Sequence, residues 1–252
     1  MRVAVCVKQI PDPASPYDLD PETHFVVRPT DQVLDDTDRY GVEMGLQLAE
    51  QTEGTVTLIS MGPSGNLQGI RQALAMGADK AVVVDDASLQ GSDSLATAGV
   101  LAAAIKREGF DLVIAGTEST DGYAGILPQQ LAELLEVPAL TFAKKVAVEG
   151  DTVKIERQTQ TGFDEVESPS PALVSVTAGA VEPRYPTFKG IMQAKSKPVD
   201  TVTAGDLGVN VATMQKIVSI RPAPERASGE LIEDDGEAHL KIVALLEQAK
   251  VI

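Results

Sequence analysis

Between residues 115 and 125 the chain gathers the groups that hold a phosphate: Ala115-Gly116-Thr117-Glu118-Ser119-Thr120-Asp121-Gly122-Tyr123-Ala124-Gly125. Three glycines let backbone approach a ligand closely, while Thr and Ser supply hydroxyls. The apolar run 126–135 that follows is spaced as a helix, with Pro128 tolerated in its first turn. The free N–H groups and the dipole at such a helix start suit an anion. Asp121 can serve a ribose or the turn itself. No Gly-Lys-Ser/Thr follows, so this is not a Walker loop, and the spacing is not the dinucleotide fingerprint. An ordinary polar strand-to-helix loop with a self-capping aspartate fits the same residues.

Bond-making chemistry finds less support. A nucleophilic mechanism needs Ser or Cys beside a base. The two histidines, His24 and His239, sit in a polar loop and at the start of the last helix, and neither neighbours a nucleophile motif. Cys6, the single cysteine, lies in an apolar run and reads as a small core residue. It cannot form an internal disulfide, and two histidines with one cysteine offer no zinc site. The acidic pairs Asp35-Asp36 and Asp85-Asp86 read as solvated loop or cap residues. No catalytic residue is assigned.

The stretch 182–198 has a different composition. It holds Arg184, Lys189, Lys195 and Lys197 against Glu182 alone, a local charge of +3 within a chain of net charge −16. Phe188, Ile191 and Met192 lie within the basic run. Steering charge with apolar anchors describes a docking loop. A surface crossover whose Phe and Met reach the core has the same composition.

The elements that must position these residues alternate. Arg2 to Val7 reads as a buried strand, followed by a long polar loop to about Leu34. A helix is predicted over 38–50, strands over 55–61, 81–84 and 112–115, and helices over 67–76, 93–107 and 126–135. Near-continuous apolar strands alternating with helices predict a mostly parallel, doubly wound sheet covered on both faces. Residues 146–156 read as a hairpin turning at Gly150-Asp151, a small antiparallel addition, and Ala172 to Val176 returns to the buried pattern. Ligands in such folds bind at the strand carboxyl ends, here the loops 6–9, 61–63 and 116–125. Beyond Glu182 little core-forming periodicity remains until 238–249, so this end reads as a partner-wrapping arm or as a disordered tail.

Composition narrows the partners. An excess of acids, 37 against 21 basic residues, opposes nucleic-acid binding, which needs a basic surface to release counterions. No apolar stretch reaches membrane-spanning length, and the start of the chain has no signal-type apolar core. The expectation is a cytoplasmic protein without membrane insertion.

Several motifs, spread from end to end, together resemble the electron-transfer flavoprotein beta-subunit family. They are Glu156-Arg157 through Pro169-Ser170-Pro171-Ala172-Leu173-Val174-Ser175-Val176, then Glu182-Pro183-Arg184-Tyr185-Pro186 and Gly190-Ile191-Met192-Gln193-Ala194-Lys195. Val5-Cys6-Val7-Lys8, Ala73-Leu74-Ala75-Met76-Gly77-Ala78-Asp79-Lys80, Ser119-Thr120-Asp121-Gly122 and Gly205-Asp206-Leu207-Gly208-Val209 add to it.

The resemblance implies an adenine-nucleotide-hydrolase-like α/β domain over 1–181, a recognition loop over 182–198 and an extended C-terminal arm over 199–252 that packs on a larger alpha subunit. It implies FAD shared with that subunit, a structural AMP, and electron flow from dehydrogenases, acyl-CoA types among them, to a quinone oxidoreductase. By similarity AMP would lie against Cys6, Val7, Lys8, Asp35, Asp38, Met61 and the loop Gly116, Thr117, Ser119, Thr120, Asp121, Gly122, Tyr123, Ala124, Gly125, Ile126 and Leu127. Arg184, Tyr185, Phe188, Ile191, Met192 and Lys195 would meet a partner, with Phe188 as the anchor. Where relatives often continue the Asp-Gly loop with Asp, Thr, Gln or Asn, this chain has Tyr123-Ala124-Gly125-Ile126-Leu127. Fewer side-chain donors remain for a phosphate, so backbone N–H groups must do more. Tyr123 and Ile126 also argue against the variant that holds a second FAD there, oxidises NADH and bifurcates electrons. A stand-alone ATP- or AMP-binding module is the other alternative.

Overall fold

The computed structural model describes residues 1–210, 212–221, 224, 229, 231–234 and 236–252. They fall into two compact units, Met1–Ile217 and Val218–Ile252.

The first unit is organised around β1 (Arg2–Cys6), whose alternate side chains go to opposite faces. A two-stranded ladder, β2 (Gln9–Ile10) with β3 (Val33–Leu34), closes the base of the long polar loop. Next come α1 (Asp36–Gln51), β4 (Thr55–Met61), α2 (Gln68–Met76) and β5 (Lys80–Val84). After a short 3₁₀ turn, α3 (Ser94–Glu108), β6 (Leu112–Gly116) and α4 (Leu127–Leu135) complete the alternating part. The chain then runs through β7 (Ala139–Glu149), β8 (Thr152–Gln158), β9 (Phe163–Pro169) and β10 (Ala172–Val176). α5 (Phe188–Ala194) and β11 (Val199–Val202) follow. Among the described residues of the second unit the one helix is α6 (Ala238–Gln248).

The main sheet has nine strands in the order β11-β5-β4-β1-β6-β10-β7-β8-β9. Every pairing from β11 to β7 is parallel, and β7–β8–β9 is antiparallel. The expected mostly parallel α/β fold with an antiparallel addition is therefore present. Val3 and Val5 join the core beneath α1 and α2, with Met44, Leu46, Ile70 and Leu74. Ala4 and Cys6 join the opposite core with Val100 and Ile105 of α3 and Leu131 of α4. Two-sided burial explains why these strands read as apolar runs.

Three elements depart from the sequence reading. The arm was expected from residue 199, but Val199–Val202 pairs with Ala81–Val84 and extends the main sheet. A four-residue strand directly after a proline carries too little periodicity to stand out. β9 was not foreseen, because Asp164, Glu165, Glu167 and Pro169 give it poor strand propensity; it is an outer strand, where charge is tolerated. α5 was read as loop. The parts of the expected arm at 211, 222–223, 225–228, 230 and 235 lie outside the described residues.

Winding proceeds from β1 outward to β4 and β5, then reverses to β6 on the other side of β1. That reversal opens a cleft at the carboxyl ends of β1 and β6.

Candidate functional site

Three segments meet at the switch point: residues 7 and 8 after β1, the loop 117–126 after β6, and the start of α1. Asp35 builds that start. Its carboxylate caps α1, accepting from the Thr37 N–H at 3.0 Å and the Thr37 hydroxyl at 2.9 Å. Its second oxygen accepts from the Thr120 N–H at 2.7 Å and the Thr120 hydroxyl at 3.2 Å. One buried carboxylate thus ties the helix start to the glycine loop. Of the two readings of Asp35-Asp36, solvated loop or cap, the cap holds at Asp35, which is fully buried.

Asp38, one turn on, is also buried and accepts from the Lys8 backbone N–H at 2.6 Å. Burial, reinforced by the neighbouring Asp35 charge, pushes its carboxyl well above the usual carboxylate range. A Cβ added at Gly116 would lie 3.1 Å from the Asp38 Oδ1 and 3.4 Å from the Thr37 Oγ1. Glycine at 116 is what lets these side chains pass the end of β6.

Asp121 takes a different role from the ribose contact considered above. Its side chain is wholly enclosed and lies 2.7 Å from the Lys8 Nζ, with Arg28 on its other oxygen. Burial alone would raise its carboxyl, but Lys8 and Arg28 outweigh burial and hold it below the ordinary value. Arg28 comes from the polar loop, 93 residues away in sequence, and nothing in its local pattern marked it. Tyr17, from the same loop, joins Pro13, Ser15, Asp36, Thr120 and Tyr123 around an open cleft of about 390 Å³. Tyr123 stands 66 % exposed at that cleft with a positive φ of 48°.

Other expected site residues are placed as follows. Cys6 is buried in β1, and burial, with Asp38, pushes its thiol up to about 12, so it is an inert core residue. Val7 is buried, and Met61 ends β4 half-buried. The Thr117 hydroxyl bonds the Val176 carbonyl, and the Ser119 Oγ lies 3.4 Å from the Lys8 Nζ. Gly122, Ala124 and Ile126 are exposed, and Gly125 has φ +66°.

Leu127 opens α4, whose cap residue Ile126 makes no side-chain hydrogen bond to the helix start. In the same first turn the buried Gln129 Oε1 and Gln130 Oε1 have no partner among the described residues. Uncapped N–H groups and orphaned carbonyl oxygens beside a glycine loop are donors and acceptors that a nucleotide can satisfy.

A family model described as "Electron transfer flavoprotein domain" matches residues 23–207. The chain is 40 % identical to the electron transfer flavoprotein subunit beta of Mycobacterium leprae over 264 residues, covering 100 % of this chain and 99 % of that protein. The chain belongs to the electron transfer flavoprotein beta-subunit family. The subunit beta of Thermoanaerobacterium thermosaccharolyticum is 33 % identical over 261 residues, with both chains covered completely. A 32 % identical relative from Acetobacterium woodii, covered to 92 % on both sides, is named caffeyl-CoA reductase-Etf complex subunit CarD. Membership in an electron transfer flavoprotein family makes this chain part of an electron carrier with an alpha-subunit partner. No helix among the described residues is long and apolar enough to cross a membrane.

The residues expected to meet a partner are largely exposed. Tyr185 and Phe188 are 85 % and 80 % exposed, and Ile191, Met192 and Lys195 are exposed beside them. The count of free cations requires correction. Arg184 is paired with Glu43 and Glu50, and Lys197 is turned onto backbone carbonyls, so neither projects charge outward.

Proposed function

We propose that this chain is the beta subunit of a cytoplasmic, heterodimeric electron carrier that holds AMP at the switch-point cleft and helps enclose FAD shared with the alpha subunit. Electrons enter from dehydrogenases, acyl-CoA types among them, and leave to a quinone oxidoreductase. FAD, when bound, supplies the redox chemistry. This chain contributes no nucleophile and no acid–base pair; its residues bind, orient and exclude water.

The observation that carries the AMP assignment is the uncapped start of α4 beside a glycine loop, with the Gln129 and Gln130 oxygens unpartnered among the described residues. Lys8 and Arg28 are both already engaged by Asp121. A phosphate would rest on backbone N–H groups of the 124–127 stretch, since those of Gly122 and Tyr123 already donate to the Ser119 carbonyl. Ile126 and Tyr123, exposed at the rim, provide apolar and aromatic wall surface rather than donors.

The test is co-expression with the alpha subunit, followed by mass spectrometry of the ligands released on denaturation. FAD and AMP in equal amounts are expected. A colourless complex, or one that releases no adenine nucleotide other than FAD, would overturn the reading. FAD at twice the heterodimer concentration would replace it with the bifurcating one.

A further inference from the structure

Seven residues are too few for a helix to persist alone in water, yet α5 presents the proposed docking surface. What holds it is polar and lies at both of its ends. On the entry side, the Arg184 guanidinium straddles two acids on one face of α1. Its Nε is 2.7 Å from the Glu43 Oε2 and its Nη2 3.1 Å from the Glu43 Oε1, while its Nη1 is 2.6 Å from the Glu50 Oε1. The Glu43 side chain is only 4 % exposed, so this fork is anchored in the body of the fold.

On the exit side, the Arg71 Nη1 donates to the Ala194 carbonyl at 2.6 Å and the Lys197 carbonyl at 2.9 Å. The Lys197 Nζ lies 3.0 Å from the Leu74 and Gly77 carbonyls and 2.6 Å from that of Ala78. Those are the carbonyls at the negative end of α2. Between the staples α5 sits directly on α2: a Cβ at Gly190 would fall 2.5 Å from the Ala75 carbonyl oxygen. Ala194 is buried in the same seam, and the Thr187 Oγ1 accepts from the Gly190 N–H at 3.0 Å.

We infer that α5 is a preformed docking helix whose attitude is set by Arg184, Arg71 and Lys197 as positioning residues, and that it fits a partner protein with an apolar socket edged by carboxylates. The inference rests on the docking reading of this segment and deepens it. Phe188, Ile191 and Met192 supply the plug. With the inward cations spent on internal contacts, Lys189 and Lys195 are the exposed cations left on the segment, and among the described residues neither makes an ion pair. An acidic rim complements them. Because the helix is ordered beforehand, docking does not bear the cost of folding it.

The FAD-loaded heterodimer tests this in two readouts. Amide exchange at residues 191–194 should be slowed at least about tenfold against an unstructured segment, and Arg184→Gln should remove that protection. In transfer from an acyl-CoA dehydrogenase reduced by its acyl-CoA, Arg184→Gln should raise the carrier's half-saturation concentration about tenfold with the limiting rate unchanged. Arg184→Lys should restore part of both effects. Lys197→Gln probes the opposite staple if Arg184→Gln assembles poorly, and it should loosen the same amides. Unprotected wild-type amides, or exchange and half-saturation both unchanged in these variants, would overturn the inference. Phe188→Ala separates it from the reading it rests on. Unchanged half-saturation in Phe188→Ala, with loosened amides in Arg184→Gln, would sink the docking assignment and leave the positioning roles standing.

Discussion

The Lys8 ammonium lies 2.7 Å from the Asp121 carboxylate, joining the end of the first strand to a loop 113 residues later. Arg28 reaches the same carboxylate from the polar loop, so one enclosed acid fastens three segments around the cleft. The cations that a sequence reader would give to a phosphate are thereby used internally. On the proposed reading, the site offers a ligand backbone rather than side-chain charge.

That latch has a defined pH dependence. The folded Asp121 carboxyl is depressed, so it contributes stability above the unfolded value near 4 and loses it as pH falls through the lower folded value. Asp121→Asn should therefore lower the melting temperature at pH 7. The difference from wild type should shrink when both are measured below about pH 4. A gap that stays constant down to pH 3 would remove the electrostatic account.

Asp38 has the opposite sign. Its carboxyl is raised by burial and by Asp35, so ionising it works against the fold as pH climbs above the unfolded value. Asp38→Asn keeps an oxygen for the Lys8 N–H and removes the buried charge. Melting temperature should rise at pH 7.5 by roughly 2–4 °C for each kcal/mol relieved. No gain is expected near pH 4, where wild-type Asp38 is itself neutral. A loss at pH 7.5 would mean that the charge is doing something the hydrogen bond alone does not explain.

The alternating core was legible in the sequence because burial on both faces leaves its mark on every strand. Thr55–Met61, Lys80–Val84 and Leu112–Gly116 could be read from apolar runs and their stops. The glycine loop, too, was visible from composition. The latch was not, since Arg28 and Asp121 are paired by topology and neither has a local signature. α5 was hidden for a related reason: its stability comes from Arg71, Arg184 and Lys197 acting from outside the helix. Asp35 was legible as a cap, because an aspartate directly before a helical run, followed by Thr37, is a capping pattern.

Gly69 makes a packing test independent of any ligand. It sits in the first turn of α2, its N–H on the Gln9 Oε1 at 2.7 Å, and an added Cβ would lie 2.7 Å from the Leu34 nitrogen and 2.9 Å from the Val33 carbonyl carbon. Backbone cannot rotate away as a side chain can. Gly69→Ala should cost about 1–3 kcal/mol, the usual range for overpacking. At this chain length that corresponds to a melting temperature lowered by roughly 2–12 °C. Thermal unfolding followed by circular dichroism would decide it, and an unchanged or raised melting point would contradict the packing.

The last helix offers a test of assembly. α6 carries Leu240, Ile242, Val243, Leu245 and Leu246, of which Leu240 and Leu245 are 55 % and 59 % exposed. Apolar residues spread this widely around a short helix are poorly accommodated by water and suit a partner surface. With the arm packed on the alpha subunit, as the family resemblance implies, a charge at Leu245 would be carried into a buried interface. Leu245→Asp should weaken heterodimer assembly by about 2 kcal/mol, near thirtyfold in Kd. FAD retention should fall with it on dilution, while the first unit's thermal unfolding stays as in wild type. Size-exclusion chromatography across a dilution series reads the first effect and flavin absorbance the second. An unchanged dissociation constant would place α6 away from the interface and withdraw the arm from the assembly.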